Sequence, residues 1–281
     1  MDLPDLSNSA KTNVAALPSN RDCQVNVWNF KKLQAEPPSA FDFIRFDPNN
    51  NCNLHCVYCH NPQTDDRIDT AEFQAFLESH VISTNNFQVG CIMEPTMDSR
   101  LCDLLLLIAQ SKAKPKNQYA LQTNGILLHR HDFGKMRAAG INNLSVSVDA
   151  AEQDTTKTLR GGTNLSRVTS NIKSFHEAYP ACGITFVTTV TSANVTRMAD
   201  LVRLGLDLGV GYFIFREIFY HPESEVVNHA KMPDLLLKDN QFALMQKELT
   251  DKFKTTGFLF VDEPTLNASV KKIISDSSLE A

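Results

Sequence analysis

Three cysteines in the segment 51–60 are the residues whose spacing points most directly to a chemistry. Cys52, Cys56 and Cys59 are separated by three and two residues, and they follow a short apolar stretch at 41–46. One tight loop with these gaps can direct three thiolates at a compact soft metal centre, and thiolates are the preferred ligands of iron–sulfur clusters. A [4Fe-4S] cluster held in this way keeps one iron without a protein ligand.

A structural zinc site is the alternative for the same cysteines. Such a site is closed by four protein ligands. The nearest additional candidates are His55 and His60, and neither gives a familiar zinc-finger spacing. The sequence therefore favours the iron–sulfur cluster.

With Tyr58 just before the third cysteine, the segment resembles the hallmark of the radical S-adenosylmethionine (SAM) superfamily. The resemblance covers roughly residues 41–216. It implies that the amino and carboxylate groups of SAM chelate the open iron, and that the reduced cluster cleaves SAM to a 5'-deoxyadenosyl radical. It also implies an electron donor such as flavodoxin or ferredoxin.

Composition and charge indicate which kinds of partner the protein binds and in which compartment it works. The net charge of −5 argues against nucleic-acid binding driven by electrostatics. No apolar run is long enough to span a bilayer, and the first residues lack the basic start and apolar stretch of a signal peptide. The seven cysteines are an odd number with three in a metal-type cluster, which is unlike a secreted disulfide framework. We expect a cytoplasmic protein that does not enter the membrane.

Short apolar runs alternate with helix-length amphipathic segments along the middle of the chain. Strands are predicted at 41–46, 87–92, 118–122, 143–148, 183–190 and 211–215, and helices at 70–80, 99–111, 129–139, 164–178 and 195–208. Asp98 or Ser99 and Asn194 are candidate N-caps, and Gly140 and Gly209 are candidate helix stops. This alternation predicts parallel βαβ units. Six units match the α/β, TIM-like partial (β/α)6 barrel of the radical SAM type, open on one side.

We expect the chain to consist of three parts. Residues 1–40 are predicted to be a partly disordered N-terminal arm, 41–220 the barrel core, and 221–281 a C-terminal extension and tail. The extension carries a predicted helix at about 240–254 and an apolar run at 258–261. The other cysteines, Cys23, Cys91, Cys102 and Cys182, are too scattered for a second short cluster motif, so we expect a core without an auxiliary-cluster extension.

The ends of the second and third predicted strands carry candidate SAM-binding residues, because parallel barrels place their chemistry at the carboxyl ends of strands. The segment 90–96 resembles the Gly-Gly-Glu-Pro segment of the family, with Glu94 as the acceptor for the SAM ammonium group. Ile92 and Met93 stand where glycines usually allow a close backbone approach. Thr123 and Asn124 begin a Thr-Asn-Gly segment similar to the one that ends the third strand in many relatives.

The later strand ends supply the rest of the predicted SAM site. Ser147 and Arg160 resemble the family's carboxylate clamp, since a planar guanidinium can donate two parallel hydrogen bonds to a carboxylate. Asp149 is predicted to orient this loop. Asn194 is predicted either to reach the SAM ribose or to cap the next helix. Arg216 points either to a substrate anion or to a salt bridge at the barrel rim.

Three functions remain open from the sequence. The first is a radical SAM enzyme that abstracts a hydrogen atom from a small polar metabolite or from an amino-acid or sugar-like substrate. The second is a glycyl-radical-enzyme activase acting on a protein partner, because the segment 56–62 resembles the cysteine loop of those enzymes. The third is a non-catalytic iron–sulfur-binding barrel, which the altered segment at 92–93 would permit.

Overall fold

A single parallel sheet forms the centre of the molecule. The computed structural model describes residues 39–220, 222, 224–254 and 260–261. Within them, seven strands are paired in the order of the sequence, and every pairing is parallel. The strands are β1 (Ser39–Phe46), β2 (Val81–Val89), β3 (Pro115–Thr123), β4 (Asn143–Ser147), β5 (Gly183–Val190), β6 (Tyr212–Glu217) and β7 (Phe260–Val261).

Helices connect successive strands, as the right-handed βαβ crossover requires. The α-helices of the described chain are α1 (Thr70–Ser79), α2 (Leu101–Gln110), α3 (Phe133–Ala139), α4 (Gln153–Leu159), α5 (Leu165–Ala178), α6 (Met198–Asp207), α7 (Met232–Leu235) and α8 (Gln241–Phe253). The first six strands form a curled half-barrel. The predicted partial (β/α)6 barrel is thereby confirmed. A helix with the length and apolar character to cross a membrane is absent from the described residues.

One hydrophobic core lies between the sheet and its helices. Strand β5 is buried along almost its whole length, which is expected of a parallel strand covered on both faces. The Phe186 ring on β5 meets the Phe213 ring on β6 edge to face, with 5.8 Å between their centroids. Phe46 on β1 stacks on Phe73 of α1 at 4.3 Å. These contacts fix the spacing between strands and helices.

Strand β2 is longer than predicted and begins at Val81 instead of residue 87. The segment before Phe87 is rich in Ser, Thr and Asn, which hides the apolar alternation of a strand. Tertiary hydrogen bonds compensate for that composition, because the Asn85 and Asn86 side chains both donate to Asp42 on β1, at 2.9 and 3.0 Å. The strand also ends earlier, at Val89, and leaves 90–93 as a loop.

Several helix boundaries also differ from the prediction. Helix α2 begins at Leu101 after Arg100, and the Asp98 carboxylate binds the Arg100 backbone and guanidinium instead of capping the helix. A 3₁₀ turn at Val195–Arg197 precedes α6, and the Asn194 side chain does not cap it. Gly140 does end α3, as predicted. Helices α4 and α7 were not predicted, because each is short and buries only two side chains.

The C-terminal part of the described chain joins the barrel. Helix α8, predicted at 240–254, buries Met245, Leu249 and Phe253 in the same core as the sheet. Within the predicted apolar run 258–261, Phe260 and Val261 pair with β6 as a short seventh strand. Of the predicted N-terminal arm, residues 1–38 lie outside the described residues.

We predict that Gly205→Ala destabilises the protein through overpacking. A Cβ on Gly205, in α6, would lie 2.6 Å from the Phe213 ring and 3.2 Å from the Phe186 ring. Overpacking of this kind costs about 1–3 kcal/mol, and urea unfolding measures it. Gly211→Ala is the matched control, because a Cβ there meets nothing within 4 Å. Equal unfolding midpoints for the two variants would contradict the packing described here.

Candidate functional site

The cysteine loop, residues 47–69, connects β1 to α1 and is tied at its base and along its length. Asn49 pairs with Arg67 in an isolated antiparallel bridge at the base. The Gln63 side chain accepts from the Cys52 backbone nitrogen at 3.2 Å and donates to a loop carbonyl at 3.1 Å. The loop is therefore held by its own polar residues at the carboxyl end of the sheet.

The three sulfurs of this loop form a donor set that fits a cluster. Cys52, Cys56 and Cys59 are each half-buried. Burial raises the pKa of the Cys56 thiol to about 12, and the charges of Cys52 and Cys59 act in the same direction. The described residues contain no three His, Cys, Asp or Glu side chains already arranged around a metal position, so the fit to a cluster rests on the three thiols that this one loop carries. A cation that neutralises three thiolates fits this loop, and its binding would release protons.

A buried ion pair connects the cysteine loop to the fourth strand. The Asp149 carboxylate, just after β4, is fully buried. Arg160 approaches it with Nε 2.9 Å from Oδ2, and its Nη2 donates to Oδ1 at 3.1 Å. Burial opposes the charge on Arg160, but Asp149 outweighs it, and the pKa of the guanidinium lies above its ordinary value. The Tyr58 hydroxyl also donates to Asp149, and the pKa of Tyr58 is raised well above its ordinary value by burial.

The end of α4 and the residues after it pack directly on the cysteine loop. The Val57 backbone nitrogen donates to the Leu159 carbonyl at 2.9 Å. Gly161 has a φ of +49°, and a Cβ at this position would lie 2.1 Å from the His55 carbonyl oxygen. Only glycine allows this approach without a shift of backbone. The cysteine loop and the 159–161 segment therefore behave as one packed unit.

Glu94 connects the cysteine loop to the second and third strands. Its carboxylate accepts from the Thr123 hydroxyl and from the Asn124 backbone nitrogen, both at 2.6 Å. Its backbone carbonyl accepts from the Asn49 side chain at 3.1 Å, and its nitrogen donates to the Asn51 carbonyl at 3.0 Å. Burial raises the pKa of Glu94 and these donors oppose the rise. The residue predicted to face the SAM ammonium is thus also a connector of three chain segments.

Asp47 is a site residue that the sequence did not single out. Its carboxylate accepts from the backbone nitrogens of Cys91, Ile92 and Met93, at 2.9 to 3.4 Å, and from the Cys91 thiol at 2.7 Å. A polar residue directly after an apolar strand was the available signal, but the same pattern is common in turns. Asp47 therefore holds the backbone of the 90–93 loop, which is part of the segment that resembles the Gly-Gly-Glu-Pro of the family.

Thr123 and Asn124 lie beside both the Glu94 carboxylate and the cysteine loop. Thr123 also accepts from the Gly125 nitrogen at 3.0 Å. The Asn124 side chain donates to Asn53 of the cysteine loop at 2.8 Å and lies 3.9 Å from the Cys52 sulfur. The structure therefore brings the predicted third-strand residues against the first cysteine.

The predicted clamp and ribose residues have different surroundings. Ser147 ends β4 and is half-buried, and its hydroxyl makes no hydrogen bond to the described residues. Arg160 pairs with Asp149 and not with Ser147. Asn194 is fully buried, and its amide donates to the Asp149 and Thr189 carbonyls at 2.8 and 2.9 Å. Contact between Asn194 and a ribose would require the amide to leave these partners.

We predict that Asp149→Asn destabilises the metal-free protein by about 3–5 kcal/mol, because it leaves the buried Arg160 charge without its partner. Urea unfolding of the apo protein measures this independently of any cluster. Asp200→Asn is the control, since the Asp200 side chain is 37% exposed and pairs with the exposed Arg197 and Arg203. That change should leave the midpoint nearly unchanged. A similar midpoint for both variants would mean that the buried pair is not a structural support.

Comparison with known proteins places this arrangement in a family. The family model described as the Radical SAM superfamily matches residues 47–203, which is more than half of the 281 residues. A probable GTP 3',8-cyclase of Methanocaldococcus jannaschii is 27% identical over 176 residues, covering 59% of this chain and 55% of the relative. An AdoMet-dependent heme synthase of Methanosarcina barkeri is 28% identical over 225 residues, covering 76% and 61%.

A solved structure supports the same fold. The SuiB protein of Streptococcus suis, in a crystal structure bound to S-adenosylmethionine, superposes with a TM-score of 0.60 at 15% identity, covering 83% of this chain and 53% of that one. The chain spans little more than half the length of the first of these relatives. From the family match over the cysteine loop and the barrel, we conclude that the chain belongs to the Radical SAM superfamily, whose enzymes use S-adenosylmethionine and a [4Fe-4S] cluster.

Proposed function

We propose that the chain binds a [4Fe-4S] cluster through Cys52, Cys56 and Cys59 and abstracts a hydrogen atom from a small polar metabolite or from an amino-acid or sugar-like substrate. The observation that carries the proposal is the position of the cysteine loop. Its three half-buried sulfurs lie at the carboxyl end of the sheet, beside Asn124 and the Tyr58–Asp149–Arg160 network. When bound together, the cluster and SAM supply one-electron cleavage of SAM and the radical that takes the hydrogen atom.

The backbone of the 90–93 loop can present carbonyl oxygens that accept hydrogen bonds from the SAM ammonium group. The nitrogens of 91, 92 and 93 point at Asp47, and no peptide bond of the described chain is cis. In a trans peptide the C=O points away from the N–H. The carbonyls of Cys91 and Ile92 therefore point away from Asp47, where they can accept from an ammonium. Glu94 adds negative charge next to them.

The carboxylate of SAM would be held by hydrogen-bond donors. The Ser147 hydroxyl is free of hydrogen bonds to the described residues, and Arg160 keeps Nη1 outside its pairing with Asp149. Both can therefore donate to the SAM carboxylate, as the resemblance predicts. Asp149 would hold the guanidinium in place, so that little side-chain freedom is lost on binding.

The relatives favour a small-molecule substrate over a protein. The names of the curated relatives given above refer to GTP cyclisation and to heme synthesis. Solved structures of similar fold also include anSMEcpe with bound AdoMet and a peptide, at a TM-score of 0.59 and 17% identity, which supports the fold alone. The proposed partners are accordingly a small substrate and an electron donor such as flavodoxin or ferredoxin. The proposed location is the cytoplasm, because its reducing conditions keep cysteines free to bind the cluster.

We predict that anaerobic reconstitution loads about four irons and about four sulfides per chain, as expected for a cubane on three thiolates. Changing Cys52, Cys56 or Cys59 to Ala should abolish the visible cluster absorption and most of the bound iron. Cys182→Ala is the matched control, since this buried cysteine lies just before β5 and should keep the full iron content. One zinc without sulfide in the native protein would contradict the proposal.

We predict that reduced, cluster-loaded protein cleaves SAM slowly by itself and faster with its substrate. Cluster, ammonium and carboxylate held in the correct geometry are sufficient for the cleavage. Chromatography of methionine and 5'-deoxyadenosine measures it. Transfer of deuterium from a labelled metabolite to 5'-deoxyadenosine is the result that supports a small substrate.

Two other outcomes of this assay would replace the proposal. Label transfer from a protein alone, with a glycyl radical in its electron paramagnetic resonance spectrum, would establish the activase alternative. A full cluster without SAM cleavage under any reductant would establish a non-catalytic iron–sulfur protein.

A further inference from the structure

A solvent-exposed cleft of about 510 Å³ lies directly against the cysteine loop. Its floor includes His55 and Cys56, and one wall is formed by Lys157 and Gly161. The other wall comes from the segment after β6 and includes Lys231. A second cavity, of about 210 Å³, lies at the amino end of β3 and contains none of the cysteines. Only the first of these two cavities reaches a predicted cluster ligand.

The walls of the cleft are attached to the loop that forms its floor. Gly161 approaches the His55 carbonyl so closely that a Cβ would lie 2.1 Å from it. On the other wall, the Ser224 hydroxyl donates to the His60 carbonyl at 3.0 Å. Val227 and Met232 of this wall pack in a small cluster with Val57 of the cysteine loop. The cleft is thus a formed surface whose position relative to Cys56 is fixed.

The charge of this cleft is opposite to the charge of the chain. Lys157 and Lys231 line it, and no acidic residue is among its lining residues in the described chain. The nearest acids in sequence include Asp154, one turn before Lys157 on α4, Glu225, beside the lining residue Val226, and Asp234, three residues after Lys231. The whole chain carries a net charge of −5. The two lysines beside Cys56 give this acidic chain a local positive patch, which can attract an acidic partner.

The proposed reaction needs an electron from outside to reduce the cluster, and Cys56 is a predicted cluster ligand that lines a surface cleft. We propose that this cleft is the docking site of a small acidic one-electron carrier protein, which reduces the cluster by way of Cys56. The carrier loses one electron and the cluster gains one, and no bond is formed or broken. This inference rests on the proposed function, because it requires the cluster on the cysteine loop.

A docking surface around this cleft needs only a brief encounter with its partner. Electron-transfer complexes are among the smallest protein interfaces and dissociate quickly. Such complexes gain their speed from charge steering, which falls with ionic strength. Two lysines beside the ligand are enough to orient an acidic partner without a large apolar interface.

The test is the rate of cluster reduction by a purified, reduced, acidic flavodoxin, followed by stopped-flow absorbance at low ionic strength. The double variant Lys157→Glu/Lys231→Glu should slow this reduction about tenfold or more, in the range of steering effects, and the difference should shrink at high salt. The matched control is Lys173→Glu/Lys247→Glu, two exposed lysines on α5 and α8 that make the same change in net charge away from the cleft. This control should react nearly as fast as the unaltered protein.

A second reductant separates failure of this inference from failure of the proposed function. Reduced methyl viologen is small and cationic, and it should reduce every variant without such a loss of rate. Unchanged reduction by flavodoxin in the cleft variant would refute the docking site and leave the proposed function intact. Slower reduction by both reductants would also refute it, and would assign the lysines to the cluster or to a small anion. A protein that takes up no cluster would contradict the proposed function itself.

If the glutamate variant fails to fold, Lys157→Gln/Lys231→Gln removes the charge without reversing it. This milder variant should still slow reduction by flavodoxin severalfold at low salt. Equal rates for this variant and the unaltered protein would overturn the proposal as well.

Discussion

The buried pair of Asp149 and Arg160 is the interaction on which the rest of the site depends. Burying two charges is costly unless each is paired and the remaining hydrogen-bonding groups are satisfied. Asp149 meets this condition by accepting from Arg160, from the Tyr58 hydroxyl and from the Thr189 nitrogen at 2.9 Å. These partners belong to the cysteine loop, to β5 and to the segment after α4. The cost of leaving any of them unpaired holds all three in one arrangement.

A second buried acidic residue, Glu94, also helps to hold the cysteine loop in place. Glu94 connects the cysteine loop to the ends of β2 and β3, whereas Asp149 connects it to β4 and β5. The cysteine loop, which contains little regular structure, is therefore fixed from two sides, by hydrogen bonds to the Glu94 backbone and by the buried charge of Asp149. Each carboxylate lies at the carboxyl ends of parallel strands, where neighbouring chain segments converge. The same placement that makes these positions suitable for binding a cofactor makes them suitable for ordering an irregular loop.

The sequence predicted the barrel well because buried parallel strands read as short apolar runs. It failed where tertiary contacts replaced that pattern: β2 begins in a polar segment supported by Asp42, and α4 has almost no apolar face. For the site, spacing and strand ends identified Glu94 and Asn124, which contact the cysteine loop directly, and Arg160, which is joined to Tyr58 through Asp149. Their partners could not be predicted, because the pairing of Arg160 with Asp149 depends on how two loops meet in space.

The replaced glycines at 92–93 bear on whether the chain is an enzyme. Among the described residues of the 90–93 loop, only Gly90 has a positive φ, of 83°, and Asn240 is the single non-glycine residue of the described chain with one. Ile92 and Met93 therefore adopt ordinary backbone conformations, and glycine is not needed there for the shape of the loop. Asp47 orders the three nitrogens of this loop, and the Ile92 side chain is 56% exposed. Because the proposed acceptors for the SAM ammonium group are backbone carbonyls, they do not depend on which side chains stand at 92 and 93, and the altered motif alone is no argument against catalysis.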